Sequence, residues 1–220
     1  MLYRLVLVAM ITGCAQGAHD IVHLADADRG DDDDTIDAPG RLPPHIDAPA
    51  GCEVAMDEML RNPSFDTTPT GTMWTQMPIR PTSPIITTTT GQMAPQSGDT
   101  VAWMGGFVSG SDSMYEEFTV PANTTSLVLT GYFAVISDDV PDFAFDLATV
   151  ELVKPDGTQI ETVMNLDNTD TTADWTAINF TANEDLSGQT VRLHFASSND
   201  SSLVSDFYFD TLSLTATHCR

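Results

Sequence analysis

The chain has 220 residues and is strongly acidic, with 32 Asp and Glu against 8 Lys and Arg and a formal net charge of −24. Such a charge repels the phosphates of nucleic acids and of anionic lipid head groups, so nucleic acid is excluded as a partner. It suits the binding of cations. It equally suits an adaptation to salty surroundings, where dissolved ions screen the repulsion between the charges.

The first residues have the layout of a bacterial lipoprotein signal. Arg4 precedes an apolar run from Leu5 to Ile11, and small residues then lead to Cys14. The run is shorter than the roughly 20 apolar residues that a membrane-spanning helix needs. We predict that residues 1–13 are a signal peptide and that Cys14 is lipidated, in the bacterial cell envelope at the outer membrane or cell surface. The lipid would be the only contact with the membrane. The alternative is a plain secretory leader with an incidental cysteine.

Residues 14–51 have the composition of a disordered, acidic tether. They contain the run Asp31–Asp34 and two copies of Ile-Asp-Ala-Pro, at 36–39 and 46–49. Like charges, proline and few large apolar side chains leave this stretch unable to bury enough surface to offset the entropy lost on ordering. We therefore predict an extended spacer between the lipid and a folded domain. The histidines in the stretch leave a loose metal-binding tail as the alternative.

The remaining two cysteines, Cys52 and Cys219, bracket the rest of the chain. The protein has 3 Cys in all, so assigning Cys14 to the lipid leaves one pair. In an exported protein a leftover pair indicates a disulfide. Zinc ligation is the competing use, but no Cys-x-x-Cys pair is present to favour it. We predict a Cys52–Cys219 disulfide that joins the two ends of a domain spanning residues 52–220.

This domain is predicted to be an all-β, antiparallel sandwich and a monomer. Short runs rich in β-forming residues alternate with turn residues at a spacing typical of sandwiches. Only Cys52–Leu60 is predicted as a helix. The Pro-Asp-Gly turn at 155–157 predicts a hairpin. The strand-like runs are 126–133, 149–153, 158–163, 190–195 and 207–214.

Three motifs resemble the galactose-binding-like jelly rolls that are appended to secreted bacterial hydrolases and include several carbohydrate-binding families. They are Leu60–Asp66 followed by Trp74, Ala102–Ala122, and Asp206–Leu214. The resemblance covers about residues 55–217 and implies a jelly-roll fold. One fold hosts many functions, so it does not identify a ligand.

The resemblance also implies a structural calcium ion near the first and last strands, with Asp66 and Asp210 as ligands. Asp66 stands where the family usually has Glu, and Thr211 replaces a second Asp of the last motif. Strand alternation would place Asp210 on the side that Leu212 and Leu214 bury, where a carboxylate needs a cation or strong donors. However, Phe207 and Phe209, whose side chains would point to the other side of the strand, are also apolar, so the buried side is not unique. The alternative is that both aspartates are exposed or hydrogen-bonded.

No catalytic arrangement stands out. His194 and His218 accompany no Gly-x-Ser-x-Gly motif, which serine hydrolases of the α/β class carry. We therefore expect a non-enzyme that binds an extracellular glycan, with a structural or adhesion protein that contacts other cell-surface proteins as the alternative. Trp74 and Tyr132 are the predicted ligand-binding aromatics, because aromatic rings often line sugar sites, although most aromatics in sandwiches belong to the core. The loop 138–146 is either a cation- or ligand-binding lip or a solvated turn.

Overall fold

The computed structural model describes residues 51–88 and 91–220 of the chain. The predicted signal peptide of residues 1–13, the predicted lipid attachment at Cys14 and all but Gly51 of the predicted 14–51 tether lie outside the described residues. Among the residues that are described, no helix is long and apolar enough to cross a membrane.

The described part of the chain forms eleven strands. In chain order they are β1 Val54–Glu58, β2 Thr75–Met77, β3 Ile86–Thr87, β4 Val101–Gly105, β5 Gly110–Thr119, β6 Thr124–Ser137, β7 Leu147–Val153, β8 Gln159–Asp167, β9 Thr176–Thr181, β10 Thr190–Asn199 and β11 Ser205–Cys219.

The strands build two antiparallel sheets. The first sheet has the order β3-β4-β11-β6-β9, with β1 paired to the far end of β11, and the second has the order β2-β5-β10-β7-β8. Counting β4 to β11 as eight strands, the first sheet contains strands one, eight, three and six, and the second contains two, seven, four and five. This is the order of a jelly roll, in which eight strands form two sheets by paired Greek keys. The predicted all-β sandwich is confirmed.

The main core lies between the two sheets and is built on aromatic side chains. The rings of Phe195, from the second sheet, and Phe209, from the first, are 4.8 Å apart and meet edge to face. A smaller apolar layer lies on the outer side of the first sheet, where Tyr208 is fully buried and stacks on Trp103. The first sheet is therefore covered on both sides near β11.

The disulfide between Cys52 and Cys219 is confirmed, and the helix predicted at Cys52–Leu60 is wrong. Val54 to Glu58 form strand β1, and Val54 pairs with Cys219 across the sheet. Residues 54, 56 and 58 are exposed while 55 and 57 are half-buried, which is the period of a strand on a sheet edge. Pairing with β11 overrides the weak helical tendency of this segment.

A bulge in β11 makes the predicted orientation of Asp210 wrong. The pairing of β11 with β6 shifts between Asp210 and Ser213, and Thr211 has a φ of 50°. Because an extra residue in one strand resets the alternation, Phe209 and Leu212 both face the main core, and Asp210 lies on the outer side of the sheet with Tyr208. Simple alternation along the sequence does not carry across such a bulge.

Candidate cation and ligand site at one end of the sandwich

Three connections meet at one end of the jelly roll. Residues 138–146 join β6 to β7, residues 200–204 join β10 to β11, and residues 168–175 follow β8. The strand ends that carry them are neighbours, because Ser137 pairs with Ser205 and Leu147 pairs with Asp167. The sheet register therefore brings these loops together.

The side chain of Asn168 fixes the shape of the 138–146 loop. Its amide nitrogen donates to the carbonyl oxygens of Val140 at 3.2 Å and Phe143 at 2.8 Å. Its amide oxygen accepts the backbone N–H groups of Phe145 at 2.6 Å and Asp146 at 3.1 Å. Asn168 is fully buried, its bond to the Asp146 N–H is buried as well, and the other three bonds are partly buried. One side chain thus holds this loop along most of its length.

Three aspartates from two of these loops form an acidic triad. Asp139, Asp146 and Asp200 each offer one carboxylate oxygen, and these oxygens all lie within 4.8 Å of one another. Asp146 is fully buried, and its Oδ1 accepts the backbone N–H of Asp200 at 2.7 Å. Within the described residues, neither Asp146 Oδ2 nor Asp139 Oδ2 has a hydrogen-bond partner.

The electrostatics of the acidic triad are unfavourable without a counter-charge. Burial raises the pKa of Asp139, and the negative charges of Asp146 and Asp200 raise it further. A hydrogen bond that Asp139 and Asp146 can form when one of them is protonated acts in the same direction. Hydrogen bonds from the side chain and backbone of Ser202 lower the pKa of Asp200 and favour its charged form. None of the ion pairs found within the described residues involves the triad. Buried carboxylates of this kind need a proton or a cation. The acidic triad can therefore hold a metal ion.

Exposed apolar side chains lie on the same loops as the acidic triad or at the adjoining strand end. Phe143 is 65% exposed and Phe145 is 42% exposed, with ring centroids 6.1 Å apart. Val140, Leu147 and Leu203, from the same loops or the adjoining strand end, are also exposed. A concentration of exposed apolar side chains on a folded domain marks a binding surface. We call Phe143 and Phe145 together the aromatic pair.

The structure contradicts the prediction that Trp74 contacts a ligand. Trp74 is 6% exposed, its ring packs against Phe65 and Phe195, and its Nε1 donates to the carbonyl oxygen of Asn62 at 2.9 Å. Since the indole is buried in the core, it is not available for stacking on a sugar ring. The residue contributes to packing.

Tyr132 is half-buried on the outer side of the first sheet. It pairs with Asp210 across the β6–β11 ladder and with Ala177 across the β6–β9 ladder. It lies in a shallow depression that is also lined by Thr130 and Thr211. The aromatic pair does not lie on this surface, so a ligand role for Tyr132 stays a prediction.

Asp66 and Asp210 are both held by the loop that precedes β4. Asp66 Oδ1 accepts the N–H groups of Asp99 and Thr100 at 3.0 and 3.1 Å. Asp210 Oδ2 accepts the N–H groups of residues 96 and 97 at 2.7 and 3.2 Å. Burial raises the pKa of Asp210, and the carboxylate of Asp66 raises it further. The two residues are thus brought together, but backbone donors already point at their oxygens, and calcium at this place stays a prediction.

The described histidines both lie beside carboxylates. His194, on the outer side of the second sheet, has its Nδ1 3.9 Å from Glu151 Oε2, and burial lowers its pKa. His218 lies 2.9 Å from Asp57 Oδ2. On the same outer side as His194, the guanidinium of Arg192 lies 4.2 Å from the centre of the Tyr115 ring. This arrangement is typical of a structural surface network.

Sequence reasoning found part of this end of the sandwich and missed the rest. The acidic and aromatic composition of loop 138–146 marked it as a possible lip. Asp200 and Asn168 were missed, because Ser-Asn-Asp-Ser-Ser at 198–202 and Asp-Asn-Thr-Asp at 167–170 have the composition of ordinary turns. The only available signal was that both segments follow predicted strands.

Comparisons with known proteins place similar folds among carbohydrate-binding modules. No family model matches the chain, and no curated protein matches it by sequence. Similar solved structures include a family 61 carbohydrate-binding module in complex with β-1,4-galactotriose, with a TM-score of 0.49 and 11% identity over 72% of this chain and 97% of that one. The xylan-binding CBM22-1 domain of Paenibacillus barcinonensis Xyn10C has a TM-score of 0.42 and 15% identity over 74% of this chain and 96% of that one. The enzymatically active domain of bacteriophage CBA120 tailspike protein 4 has a TM-score of 0.46 and 12% identity over 74% of this chain and 21% of that one.

Proposed function

We propose that the protein is a non-catalytic glycan-binding module of the bacterial cell envelope, anchored through a lipid on Cys14. The glycan would bind at the end of the sandwich formed by loops 138–146 and 200–204. The single observation that carries this proposal is the aromatic pair, which is exposed beside a polar, acidic surface.

The chemistry of this surface suits a sugar. The C–H groups of a sugar ring pack on an aromatic face, and polar groups around the ring fix its orientation. Phe143 and Phe145 provide the aromatic faces, and the exposed Asp142, directly before Phe143 in the chain, provides a carboxylate that can accept hydroxyl hydrogens. An apolar platform with acceptors at its edge is the arrangement that a pyranose requires.

The cysteine pair supports export. The Cys52–Cys219 disulfide requires an oxidising compartment, as found outside the bacterial cytoplasm. An exported domain with a cysteine at the end of a short apolar leader agrees with lipidation at Cys14, and the acidic 14–51 stretch would then separate the domain from the membrane.

The proposal includes a structural calcium ion. The chain offers two places for it, the predicted pair of Asp66 and Asp210 and the acidic triad. Both consist of carboxylate oxygens, which are the ligands that calcium prefers.

A second candidate function is adhesion to another cell-surface protein. The observation that favours it is the group of exposed aliphatic side chains on these loops and the adjoining strand end, Val140, Leu147 and Leu203. Such a group resembles the apolar centre of a protein interface more than a sugar site.

A glycan array separates the two functions. The full-length protein is applied to an array that includes β-1,4-galactan and xylan oligosaccharides, together with a variant carrying Phe143→Ala and Phe145→Ala. The matched control is Met56→Ala, which removes an exposed apolar side chain from β1, outside these loops. Glycan binding that is lost in the double variant and kept in the control supports the proposal. A blank array, with an envelope protein captured by the parent and not by the double variant, supports adhesion instead.

A further inference from the structure

We propose that Asp139, Asp146 and Asp200 bind one calcium ion, and that this ion joins loops 138–146 and 200–204 and so fixes the aromatic pair for its ligand. The calcium site itself does not depend on the proposed function. Only the link between calcium and ligand binding rests on it.

The fully buried Asp146 is the main reason to place a cation here. Its Oδ1 is used by the backbone N–H of Asp200, whereas its Oδ2 has no hydrogen-bond partner within the described residues, and one of its two oxygens belongs to the acidic triad. A buried, unpartnered carboxylate oxygen costs several kcal/mol of desolvation unless a cation or a donor reaches it. Asp139 Oδ2 is likewise buried and without a hydrogen-bond partner in the described part of the chain.

The backbone holds the acidic triad in position without help from the cation. The N–H of Asp138 donates to the carbonyl of Val204 at 3.0 Å, which joins the two loops next to the triad. The N–H of Asp139 donates to Ser137 Oγ at 2.9 Å. On the other side, the carbonyl of Asp200 accepts the N–H of Ser109. A site held in this way loses little entropy when the ion binds.

The donor set points to calcium. All three side chains offer oxygen, and no cysteine or histidine in the described part of the chain joins the triad, which disfavours zinc. Ligands at 2.3–2.6 Å from a shared Ca²⁺ lie no more than about 5 Å apart, which agrees with the 4.8 Å limit on the triad oxygens. Mg²⁺ needs shorter bonds and a near-ideal octahedron, and it usually keeps several waters.

The acidic triad is better prepared for a cation than Asp66 and Asp210. In the latter pair, Asp66 Oδ1 and Asp210 Oδ2 each accept two backbone N–H groups. Partial positive charges directed at these oxygens compete with a metal ion for the same lone pairs.

The link to the ligand follows from chain connectivity. Asp146 directly follows Phe145, and Asp139 lies at the other end of the same loop, so an ion shared by both clamps the segment that carries the aromatic pair. Asn168 already fixes the middle of the loop through the Phe143 carbonyl. A loop held in its binding conformation loses less entropy when the ligand binds, which raises affinity.

Calcium titration of the full-length, chelator-treated protein by isothermal calorimetry tests the site. The variants are Asp146→Asn and, as a matched control, Asp174→Asn, an exposed acid of the neighbouring 168–175 connection that lies outside the triad. We expect the parent and the control to bind calcium with affinities within about twofold of each other, and Asp146→Asn to weaken binding at least tenfold. A carboxamide of equal shape still accepts the Asp200 N–H. A second variant, Asp200→Asn, is expected to show the same loss, which covers the case in which the Asp146 variant fails to fold.

Three results would overturn the site: no calcium binding by the parent, equal binding by the parent and both triad variants, or loss of binding only on Asp210→Asn. The link to the ligand is tested separately by repeating the glycan array with EDTA and with excess calcium. Glycan binding that ignores EDTA overturns the link and leaves the calcium site standing. A blank array with normal calcium binding means that the proposed function fails while the site holds.

Discussion

Replacing both Cys52 and Cys219 by serine tests how far the disulfide stabilises the jelly roll. The bond joins the segment just before β1 to the end of β11, with the two Cα atoms 5.1 Å apart. It closes a loop with a sequence separation of 167 residues, which includes nearly all of the described domain. Long loops gain most from such a link, because the unfolded chain loses the most freedom.

The structure gives the expected magnitude. In the chain-entropy treatment, a link across a separation of 167 residues contributes about 5 kcal/mol at 25 °C. A domain of this size unfolds with an entropy of about 0.36 kcal/mol per kelvin, so that loss lowers the melting temperature by roughly 14 °C. The β1–β11 pairing would fray as well, since β1 contacts the sheet at its edge.

Urea unfolding followed by tryptophan fluorescence measures this difference. Cys14→Ser is the matched control, because it removes a cysteine outside the described domain and is expected to leave the free energy of unfolding unchanged. The double variant avoids a free thiol that would pair with Cys14. A free energy of unfolding for the double variant within about 1 kcal/mol of the parent's would contradict this expectation. It would mean that the unfolded chain gains little freedom when its ends are released.

Three further predictions concern stability. Trp74→Ala should lower the free energy of unfolding by about 3–5 kcal/mol, as expected for a buried tryptophan, without a direct effect on ligand binding. Because burial lowers the pKa of His194 in the folded state, the unfolded chain takes up this proton first, so the parent should lose stability as the pH falls through about 6.5. His194→Gln should reduce this loss of stability at low pH, and a variant with the same pH dependence as the parent would contradict the prediction. Gly98→Ala should lower the free energy of unfolding by more than about 1 kcal/mol, because Gly98 has a φ of 61° and a new Cβ would lie 2.0 Å from Asp66 Oδ2. An unchanged urea midpoint would count against this prediction.

The strands could be predicted because their signals are local in sequence, and the disulfide because assigning Cys14 to the lipid leaves only one pair among the 3 Cys. The Pro-Asp-Gly turn formed as expected, with the N–H of Lys154 donating to the Thr158 carbonyl at 2.8 Å. The alternation of Val191, Leu193 and Phe195 correctly indicated which residues of β10 face the core. Such patterns follow directly from strand geometry.

The candidate site could be predicted only in part because it depends on contacts between distant residues. Counting alternate residues back from Leu212 and Leu214 placed Asp210 on the wrong side of the sheet, because the bulge at Thr211 reverses the alternation. No residue type in the sequence marks this bulge. The acidic triad joins Asp146 to Asp200 across 54 positions, through sheet register alone. Trp74 shows the same limit, since its type suits both a core and a sugar platform and only the packing decides.

The most direct measurement is a calcium titration of the isotope-labelled full-length protein, followed by backbone amide chemical shifts. We predict that the largest changes fall on residues 138–146 and 200–204, with saturation at one equivalent of calcium, and that residues 96–100 are little affected. Changes confined to residues 96–100 and Asp210, or no changes at all, would contradict a calcium site at the acidic triad.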